Sequence, residues 1–158
     1  MVSYLEEKLE NGMQHRLRAG AVGLASHSDY GFITILLQSS PGLEVMRHHD
    51  DAWTAVPAVS GALHVHVGDT LEVLSNGQLK SLVHRAILNP DESRISIASI
   101  HGLSVDEKVR CAQEELVSEQ SPEMYRGSSF HDFLGFLASN IDSYKRSIES
   151  LKIHHRDE

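Results

Sequence analysis

The spacing of apolar residues at the start of the chain indicates a helix. Four apolar side chains recur at every fourth position and share one helical face: Leu5, Leu9, Met13 and Leu17. Ser3 followed by Glu6 fits the capping-box pattern that begins helices, because each side chain can accept a hydrogen bond from a peptide N–H of the other residue. The pattern predicts a helix over residues 3–17 that ends by Gly20.

After residue 20 the periodicity changes to short β segments. Runs rich in Val, Ile and Leu alternate with Gly, Pro, Asn and Asp, the residues that favour turns. The runs lie at residues 32–37, 43–46, 53–56, 62–67, 71–74, 82–88 and 94–100. Seven short strands with this spacing are typical of a β-sandwich or jelly roll, so we predict a mostly β fold.

A second helical pattern occurs near the end of the chain. Its apolar stripe is formed by Phe130, Phe133, Leu134, Phe136 and Leu137, with a looser continuation at Ile141, Tyr144, Ile148 and Leu151. We predict two C-terminal helices and expect the first stripe to pack in the core. The predicted organisation is an N-terminal helix and junction at 1–20, a β core at 21–102 and a C-terminal extension at 103–158.

Length and charge narrow the range of functions. A chain of 158 residues suffices for one domain with a buried core. Acidic side chains outnumber basic ones by 22 to 14, and the net charge of -8 argues against binding to nucleic acid or to an anionic membrane. The start of the chain has no basic region followed by an apolar stretch, and a single cysteine excludes an internal disulfide. We therefore expect a cytoplasmic protein that acts on a small molecule; the sequence carries no signal for an oligomeric state.

Candidate metal ligands occur among the 11 histidines. His27 and Asp29 stand two positions apart, so an extended segment would place both side chains on one face. His84 lies in the predicted strand at 82–88. Two histidines and one carboxylate leave open positions on a metal, which is the arrangement of non-haem Fe(II) oxygenases. An H-x-D tripeptide alone is more often a turn or a solvated strand end, so the hypothesis depends on further residues.

Arg94 and Ser96 provide that further support. A hairpin centred near Asp91 would place His84 opposite Ala98, and His84, Arg94 and Ser96 would then share one face. A guanidinium forms a planar fork that matches a carboxylate, and a hydroxyl adds another donor. The arrangement predicts a site that holds one end of a short dicarboxylate. The alternative is a surface arginine paired with a neighbouring acidic residue.

Nine blocks of residues occur in one order between about Ala21 and Ser139. They are His27-Ser28-Asp29-Tyr30-Gly31, Thr34-Ile35-Leu36-Leu37-Gln38, Gly42-Leu43-Glu44-Val45, Trp53, Val67-Gly68-Asp69, Leu74-Ser75-Asn76-Gly77, Lys80-Ser81, His84-Arg85 and Arg94-Ile95-Ser96-Ile97-Ala98. Together the blocks resemble the plant-type 2-oxoglutarate- and Fe(II)-dependent dioxygenases. Within that family the chain looks most similar to flavanone hydroxylases and salicylate hydroxylases.

The resemblance implies a double-stranded β-helix, which is a cupin-like jelly roll, and an oxidoreductase activity. It implies that Fe(II) is held by His27, Asp29 and His84, and that 2-oxoglutarate is held by Arg94 and Ser96. The implied reaction uses O2 to hydroxylate a small aromatic or phenolic metabolite of plant secondary metabolism. Succinate and CO2 are the coproducts, and ascorbate is expected to support turnover.

The chain departs from the family pattern before the H-x-D motif. Family members carry an Asn-x-Tyr-Pro-x-Cys box there, whose tyrosine helps to bind 2-oxoglutarate, whereas the first proline of this chain is Pro41 and its cysteine is Cys111. Most of the family's N-terminal half is absent too, and missing strands should leave an exposed sheet edge. The alternative function is therefore a truncated, catalytically impaired fragment that binds metal only or associates with a full-length relative.

Other polar residues have competing interpretations. A rival, cupin-like metal site would use His64, His66, Glu72 and His84. The glycines near these residues do not have the spacing expected of a cupin-like site. His64 and His66 are more simply explained as the polar face of a half-buried strand. Residues 48–51 are predicted to form a solvated hairpin tip, and Asp69 is predicted to be a turn-forming carboxylate.

Overall fold

The computed structural model describes residues 2–7, 21–89, 91–111, 116–118, 120–140 and 146–154. These residues form eight strands, two α-helices and one 3₁₀ helix. The strands are β1 (Val2–Glu7), β2 (Val22–His27), β3 (Ile33–Gln38), β4 (Leu43–Met46), β5 (Trp53–Ala55), β6 (His64–Val67), β7 (His84–Ile87) and β8 (Arg94–His101). The helices are α1 (Asp69–Leu74), α2 (Phe130–Ser139) and the 3₁₀ helix Ser147–Leu151.

The strands form two four-stranded sheets. One sheet has the order β1-β8-β3-β6 and the other the order β2-β7-β4-β5. Eight strands divided in this way between two sheets are the arrangement of a jelly roll. The predicted mostly β fold is confirmed, and six of the predicted strands correspond to β3 to β8.

The first strand corrects the prediction of an N-terminal helix. Val2–Glu7 is extended and pairs antiparallel with β8, from Val2 opposite Ser99 to Glu7 opposite Arg94. The four-residue spacing is a local pattern, whereas pairing with β8 satisfies backbone groups across almost a hundred residues of sequence, which the spacing cannot reveal. The helix prediction is therefore wrong for residues 3–7, and its remainder at 8–17 lies outside the described residues.

The predicted hairpin between β7 and β8 is also wrong. β7 lies between β2 and β4, and β8 lies in the other sheet between β1 and β3. His84 is consequently paired with His27 and Val45 rather than with Ala98. Apart from the β4–β5 hairpin, successive strands of this chain lie in different sheets, so a short connection between two strands need not form a hairpin.

Residues 71–74, predicted as a strand, belong to helix α1 instead. The apolar run is too short for its periodicity to distinguish a strand from a helix. Gly68 is the N-cap residue, and Asp69 and Glu72 place acidic side chains in the first turn, where they favour a helix. Strand β2, in contrast, was not among the predicted strands, because its sequence Val22-Gly-Leu-Ala-Ser-His27 has few β-branched residues.

The described residues divide into two compact units. Unit 1 comprises the described parts of Met1–His27, Thr34–His66 and Leu82–Ile100, and unit 2 those of Ser28–Ile33, Val67–Ser81 and His101–Glu158. Buried apolar side chains of unit 1 are Leu36, Leu43, Val83 and Ala86. The core cluster of unit 2 is Val73, Val109, Tyr125 and Ile148, with Leu74 and Leu151 packed against it.

Helix α2 forms where the sequence predicts it. Ser129 and Asp132 make a capping box at its start, in which Ser129 Oγ accepts from the Asp132 N–H and the Asp132 carboxylate accepts from the Ser129 N–H. The expectation that its stripe is packed in the core is wrong for Leu134 and Leu137, which are 44% and 46% exposed. The 3₁₀ helix Ser147–Leu151 falls within the second predicted helix, whose residues 141–145 lie outside the described part of the chain.

None of the helices among the described residues combines the length and the apolar composition that crossing a bilayer requires.

Candidate metal centre

The two candidate histidine ligands face each other on neighbouring strands of unit 1. His27 ends β2 and His84 begins β7, and the antiparallel register makes them direct partners. Their ring centroids lie 4.3 Å apart. The register of β2 against β7 shifts between Leu24 and His27, and such an irregularity is a common device for re-aiming a side chain next to a functional site.

Hydrogen bonds to the backbone orient both imidazoles in the same way. Nδ1 of His27 lies 2.8 Å from the carbonyl oxygen of Ala25, and Nδ1 of His84 lies 3.1 Å from that of Leu82. A carbonyl can only accept a hydrogen bond, so the neutral form of each ring carries its proton on Nδ1 and its lone pair on Nε2. This is the usual preparation of a histidine for binding a metal through Nε2.

Asp29 follows His27 by two residues, at the start of a loop that the N-terminal end of α1 holds by its backbone. The N–H of Asp69 donates to the carbonyl oxygen of Asp29 at 2.8 Å. A Cβ atom on Gly68 would lie 2.0 Å from the carbonyl oxygen of Gly31 and 3.0 Å from that of Asp29, so only glycine permits this approach. The Val67-Gly68-Asp69 block therefore serves to seat the loop that carries Asp29.

One potential ligand atom from each of His27, Asp29 and His84 lies within 4.8 Å of the other two. Among the described residues this is the one group of three or more His, Cys, Asp or Glu side chains that converges in this way. Two imidazole nitrogens and one carboxylate oxygen form the donor set of non-haem Fe(II) sites, so the residues fit that metal. The structure brings the three predicted residues together, and their role as ligands stays a prediction.

Arg94 and Ser96, the predicted carboxylate site, are both buried on β8. Arg94 is 3% exposed and donates from Nη1 to Ser96 Oγ at 3.2 Å and from Nη2 to Gln38 Oε1 at 3.1 Å. The alternative of a surface arginine is therefore wrong. Both of these acceptors are neutral, and the two hydrogen bonds fix the orientation of the guanidinium.

Gln38 and Gly42 are parts of this arrangement that sequence reasoning missed. Gln38 is 7% exposed at the end of β3, where a polar residue after an apolar strand was the available signal. Gly42 has a φ of +148°, and a Cβ there would lie 2.8 Å from Cδ of Arg94. Arg94 thus lies directly over Gly42, which leaves no room for a side chain.

The rival metal site does not assemble among the described residues. The Glu72 carboxylate accepts hydrogen bonds from the hydroxyl of Tyr125, the N–H of Ser81 and the Lys80 ammonium. Nε2 of His64 lies 3.2 Å from the amide nitrogen of Gln38. His66 is the member that does approach a predicted ligand, with its ring 5.0 Å from that of His84.

The predicted hairpin tip at residues 48–51 and the prediction for Asp69 have different outcomes. Residues 48–50 form the turn between β4 and β5, where Arg47 and Asp50 make an exposed ion pair, so the predicted hairpin tip is confirmed. Asp69, predicted as a turn-forming carboxylate, instead lies in the first turn of α1, where it is 2% exposed. Burial raises its pKa, whereas a hydrogen bond from Ser81 and the nearby Arg146 charge oppose that rise.

Sequence comparison shows extensive similarity to one superfamily. A family model described as the 2OG-Fe(II) oxygenase superfamily matches residues 3–102. The rice (Oryza sativa subsp. japonica) protein 2-oxoglutarate-dependent dioxygenase 21, chloroplastic, is 70% identical over 161 residues, which cover 96% of this chain and 48% of that protein. Rice flavanone 3-dioxygenase 3 is 49% identical over 160 residues, which cover 95% of this chain and 49% of that protein.

Structural comparison agrees with the sequence. The crystal structure of JOX2 in complex with 2OG, Fe and JA matches with a TM-score of 0.78 and 31% identity, over 97% of this chain and 43% of that chain. The chain therefore spans about half the length of the curated relatives it matches.

Proposed function

Because the chain belongs to the 2OG-Fe(II) oxygenase superfamily, we propose that it is the metal- and cosubstrate-binding part of a dioxygenase that hydroxylates a small organic molecule. The observation that carries the proposal is the pairing of His27 and His84, each oriented by a backbone carbonyl, beside Asp29 on the following loop. The proposal places the metal and cosubstrate residues in a core at 21–102, with 103–158 as an extension.

In this proposal His27, Asp29 and His84 hold Fe(II) through two Nε2 atoms and one carboxylate oxygen. The superfamily uses Fe(II) and 2-oxoglutarate, and together with O2 these supply the oxidation, with succinate and CO2 as coproducts. The chain's own contribution is geometric. The β2–β7 pairing fixes the distance between the histidines, and the carbonyls of Ala25 and Leu82 keep the ring protons away from the metal side.

Arg94 and Ser96 are proposed to bind the distal carboxylate of 2-oxoglutarate. A guanidinium pairs with a carboxylate through two parallel N–H donors, and burial strengthens the attraction because little water screens it. Gln38 supports this role, since its hydrogen bond restricts the rotation of the Arg94 fork. Arg94 is thereby held in place before a ligand arrives, which reduces the entropy lost on binding.

The proposed substrate is an aromatic or phenolic metabolite. The name of the rice flavanone 3-dioxygenase, 49% identical, supports this class. A substrate panel of flavanones, simpler phenols and non-aromatic carboxylic acids, each assayed for hydroxylated product, tests the class. Turnover confined to the non-aromatic acids would overturn it. The name of the 70% identical relative includes chloroplastic, so a cytoplasmic location stays a prediction, to be checked by imaging a fluorescent fusion in plant cells.

The catalytic proposal is tested by succinate formation from 2-oxoglutarate with added Fe(II) and ascorbate. Wild type is compared with Asp29→Ala and with the matched control Asp50→Ala, which removes an exposed carboxylate from the β4–β5 turn. We expect Asp29→Ala to abolish turnover and Asp50→Ala to retain it. Equally negligible turnover in wild type and both variants would reject catalysis by this chain.

The second candidate is a fragment that binds metal without turnover, and the half-length coverage of the relatives favours it. It predicts that Fe(II) raises the midpoint of thermal unfolding and that His84→Ala abolishes the rise. Addition of 2-oxoglutarate would give no further rise. A further rise that Arg94→Gln removes would instead support the dioxygenase.

A further inference from the structure

Arg146 lies immediately before the 3₁₀ helix of unit 2 and contacts several polar groups of that unit. Its Nε donates to Ser28 Oγ at 3.2 Å, and its Nη2 makes a short hydrogen bond to Ser81 Oγ. Nη2 also lies 3.5 Å from Oδ1 of Asp69, which is 2% exposed. One planar fork thus joins residues from three separate parts of the chain.

Ser28 is the residue between His27 and Asp29, so the contact from Arg146 falls within the H-x-D motif itself. The rest of the loop is held by backbone bonds from the start of α1. The Thr70 N–H and hydroxyl both donate to the carbonyl of Tyr30, and the Gly68 N–H donates to that of Phe32. These bonds hold the backbone from residue 29 onward, whereas the side chain of Ser28 is held by Arg146 and by a hydrogen bond with the buried Asp69 carboxylate.

We propose that Arg146 is a positioning residue that orients the Ser28–Asp29 stretch and thereby sets the affinity of the motif for a divalent metal. The inference rests on the proposed function, because it takes Asp29 to be a ligand. Arg146 suits the role since its fork has donors fixed in one plane, so bonds to Ser81 and Asp69 also determine where Nε meets Ser28. Residues behind metal ligands commonly affect affinity in this way.

The position also explains why an arginine, rather than a lysine, is suited to this point. Arg146 has 23% of its side chain exposed and lies 3.5 Å from Glu149 and 4.0 Å from Glu72, so its charge is balanced on several sides. A lysine could balance the charge but could not donate to Ser28 and Ser81 from two fixed nitrogens. Arg146→Lys should therefore leave the stability of the fold largely unchanged but lower the affinity for the metal.

The experiment is a titration of the full chain with Mn²⁺, a divalent metal that avoids oxidation during measurement. Variants are Arg146→Met, Arg146→Lys, Ser28→Ala and the double variant Arg146→Met/Ser28→Ala. The matched control is Lys152→Met, which removes a cation that pairs with Glu149 at 2.7 Å in the same segment. We expect the Kd for Mn²⁺ to rise about tenfold in each single Arg146 or Ser28 variant and to change less than about twofold in Lys152→Met.

The double variant separates positioning from general destabilisation. If Arg146 acts through Ser28, the double variant should bind Mn²⁺ no more weakly than Arg146→Met alone, because the shared contact is lost only once. Additive losses in the double variant would overturn the inference. If Arg146→Met does not fold by circular dichroism, Arg146→Lys and Ser28→Ala decide the same question.

Amide hydrogen exchange of the metal-free protein gives a readout independent of metal. We expect faster exchange at Ser28 and Asp29 of Arg146→Met, with unchanged exchange in the β4–β5 hairpin. If His84→Ala binds Mn²⁺ with the same affinity as wild type, both the proposed metal site and the positioning role of Arg146 are rejected. If His84→Ala abolishes binding while the Arg146 and Ser28 variants bind like wild type, the inference alone is overturned.

Discussion

The hydroxyl of Tyr125 donates a hydrogen bond to Oε1 of Glu72, 2.6 Å away, in the core of unit 2. The N–H of Ser81 donates to the other carboxylate oxygen at 2.7 Å. Burial by itself would raise the pKa of Glu72, but the donors Tyr125 and Ser81, with the Lys80 charge, more than offset it and lower that pKa. Glu72 is therefore a buried carboxylate that is stable in its charged form.

Tyr125→Phe should destabilise the protein by about 2 kcal/mol, because a buried charged acceptor loses its shortest hydrogen bond. The measurement is the free energy of unfolding in urea at neutral pH. Tyr30→Phe is the control, because its partly buried ring, whose centroid lies 4.5 Å from that of Phe133, keeps that stacking contact without the hydroxyl. A loss below about 0.5 kcal/mol in Tyr125→Phe would contradict the prediction.

The Tyr125–Glu72 pair also predicts a pH dependence. A carboxylate with a lowered pKa in the folded state contributes stability above its ordinary value of 4.5, and this stability is lost as pH falls through the folded pKa. Removing the Tyr125 hydroxyl lets the pKa of Glu72 rise. As the pH is lowered, Tyr125→Phe should therefore begin to lose stability at a higher pH than wild type does. Parallel unfolding curves between pH 7 and pH 3 test this; an unchanged acid limb would argue against the coupling.

The same pair also predicts a loss of stability at alkaline pH, through the pKa of Tyr125. Burial, followed by the hydrogen bond to Glu72, raises the pKa of Tyr125 above its ordinary value of 10.0. A raised pKa means that the neutral phenol stabilises the fold below pH 10 and that this contribution is lost as pH rises beyond it. Glu72→Gln should reduce the loss, as measured by thermal unfolding between pH 9 and pH 11.

Gly42→Ala should disturb both stability and the proposed cosubstrate site. Its φ of +148° disfavours other residues, and the new Cβ would lie 2.8 Å from Arg94 Cδ and 2.9 Å from the carbonyl oxygen of Ile87. Gly61→Ala is the matched control, since it has a φ of +75° but nothing within 4 Å. We expect about 1 kcal/mol of strain in the control, and at least about 1 kcal/mol more in Gly42→Ala.

Only Gly42→Ala should also weaken 2-oxoglutarate binding, because it moves the guanidinium of Arg94. The affinity of the metal-loaded protein for 2-oxoglutarate, measured by isothermal titration, provides the second readout. Equal affinities in the two glycine variants would contradict the placement of Arg94 in that site.

Arg94→Lys should weaken 2-oxoglutarate binding at least tenfold although it keeps the charge. A lysine cannot donate to Gln38, Ser96 and a carboxylate from fixed positions, and a charged hydrogen bond contributes about 1.5–3 kcal/mol. Arg47→Lys, in the exposed β4–β5 turn, is the control. Unchanged affinity in Arg94→Lys would show that Arg94 does not bind the cosubstrate.

Gly135→Ala should stabilise the chain. Gly135 lies inside α2, and a Cβ there meets nothing within 4 Å. Alanine loses less conformational entropy than glycine when a helix forms, so a gain of about 0.5–1 kcal/mol is expected in urea unfolding. A destabilised variant would mean that this face of α2 is covered in solution.

Features that depend on neighbours in sequence were predictable. The separation of His27 and Asp29 is two residues, so any extended chain brings them near each other, and the apolar stripe that begins at Phe130 requires only helical geometry. The β4–β5 turn was likewise evident from the run of polar residues at 48–51. In each of these cases the interacting groups are a few positions apart, where spacing alone defines geometry.

Features that depend on distant partners were decided by the tertiary structure. Residues 2–7 carry a helical spacing but pair with β8, and His84 pairs with His27 across 57 positions rather than with its predicted neighbour Ala98. The contact of Arg146 with Ser28 had no sequence signal, and the polar position of Gln38 at the end of an apolar strand did not identify Arg94 as its partner. Local spacing specifies which residues share a face, but the choice of partner depends on which strands satisfy their backbone bonds and bury apolar surface together, and that is a property of the whole fold.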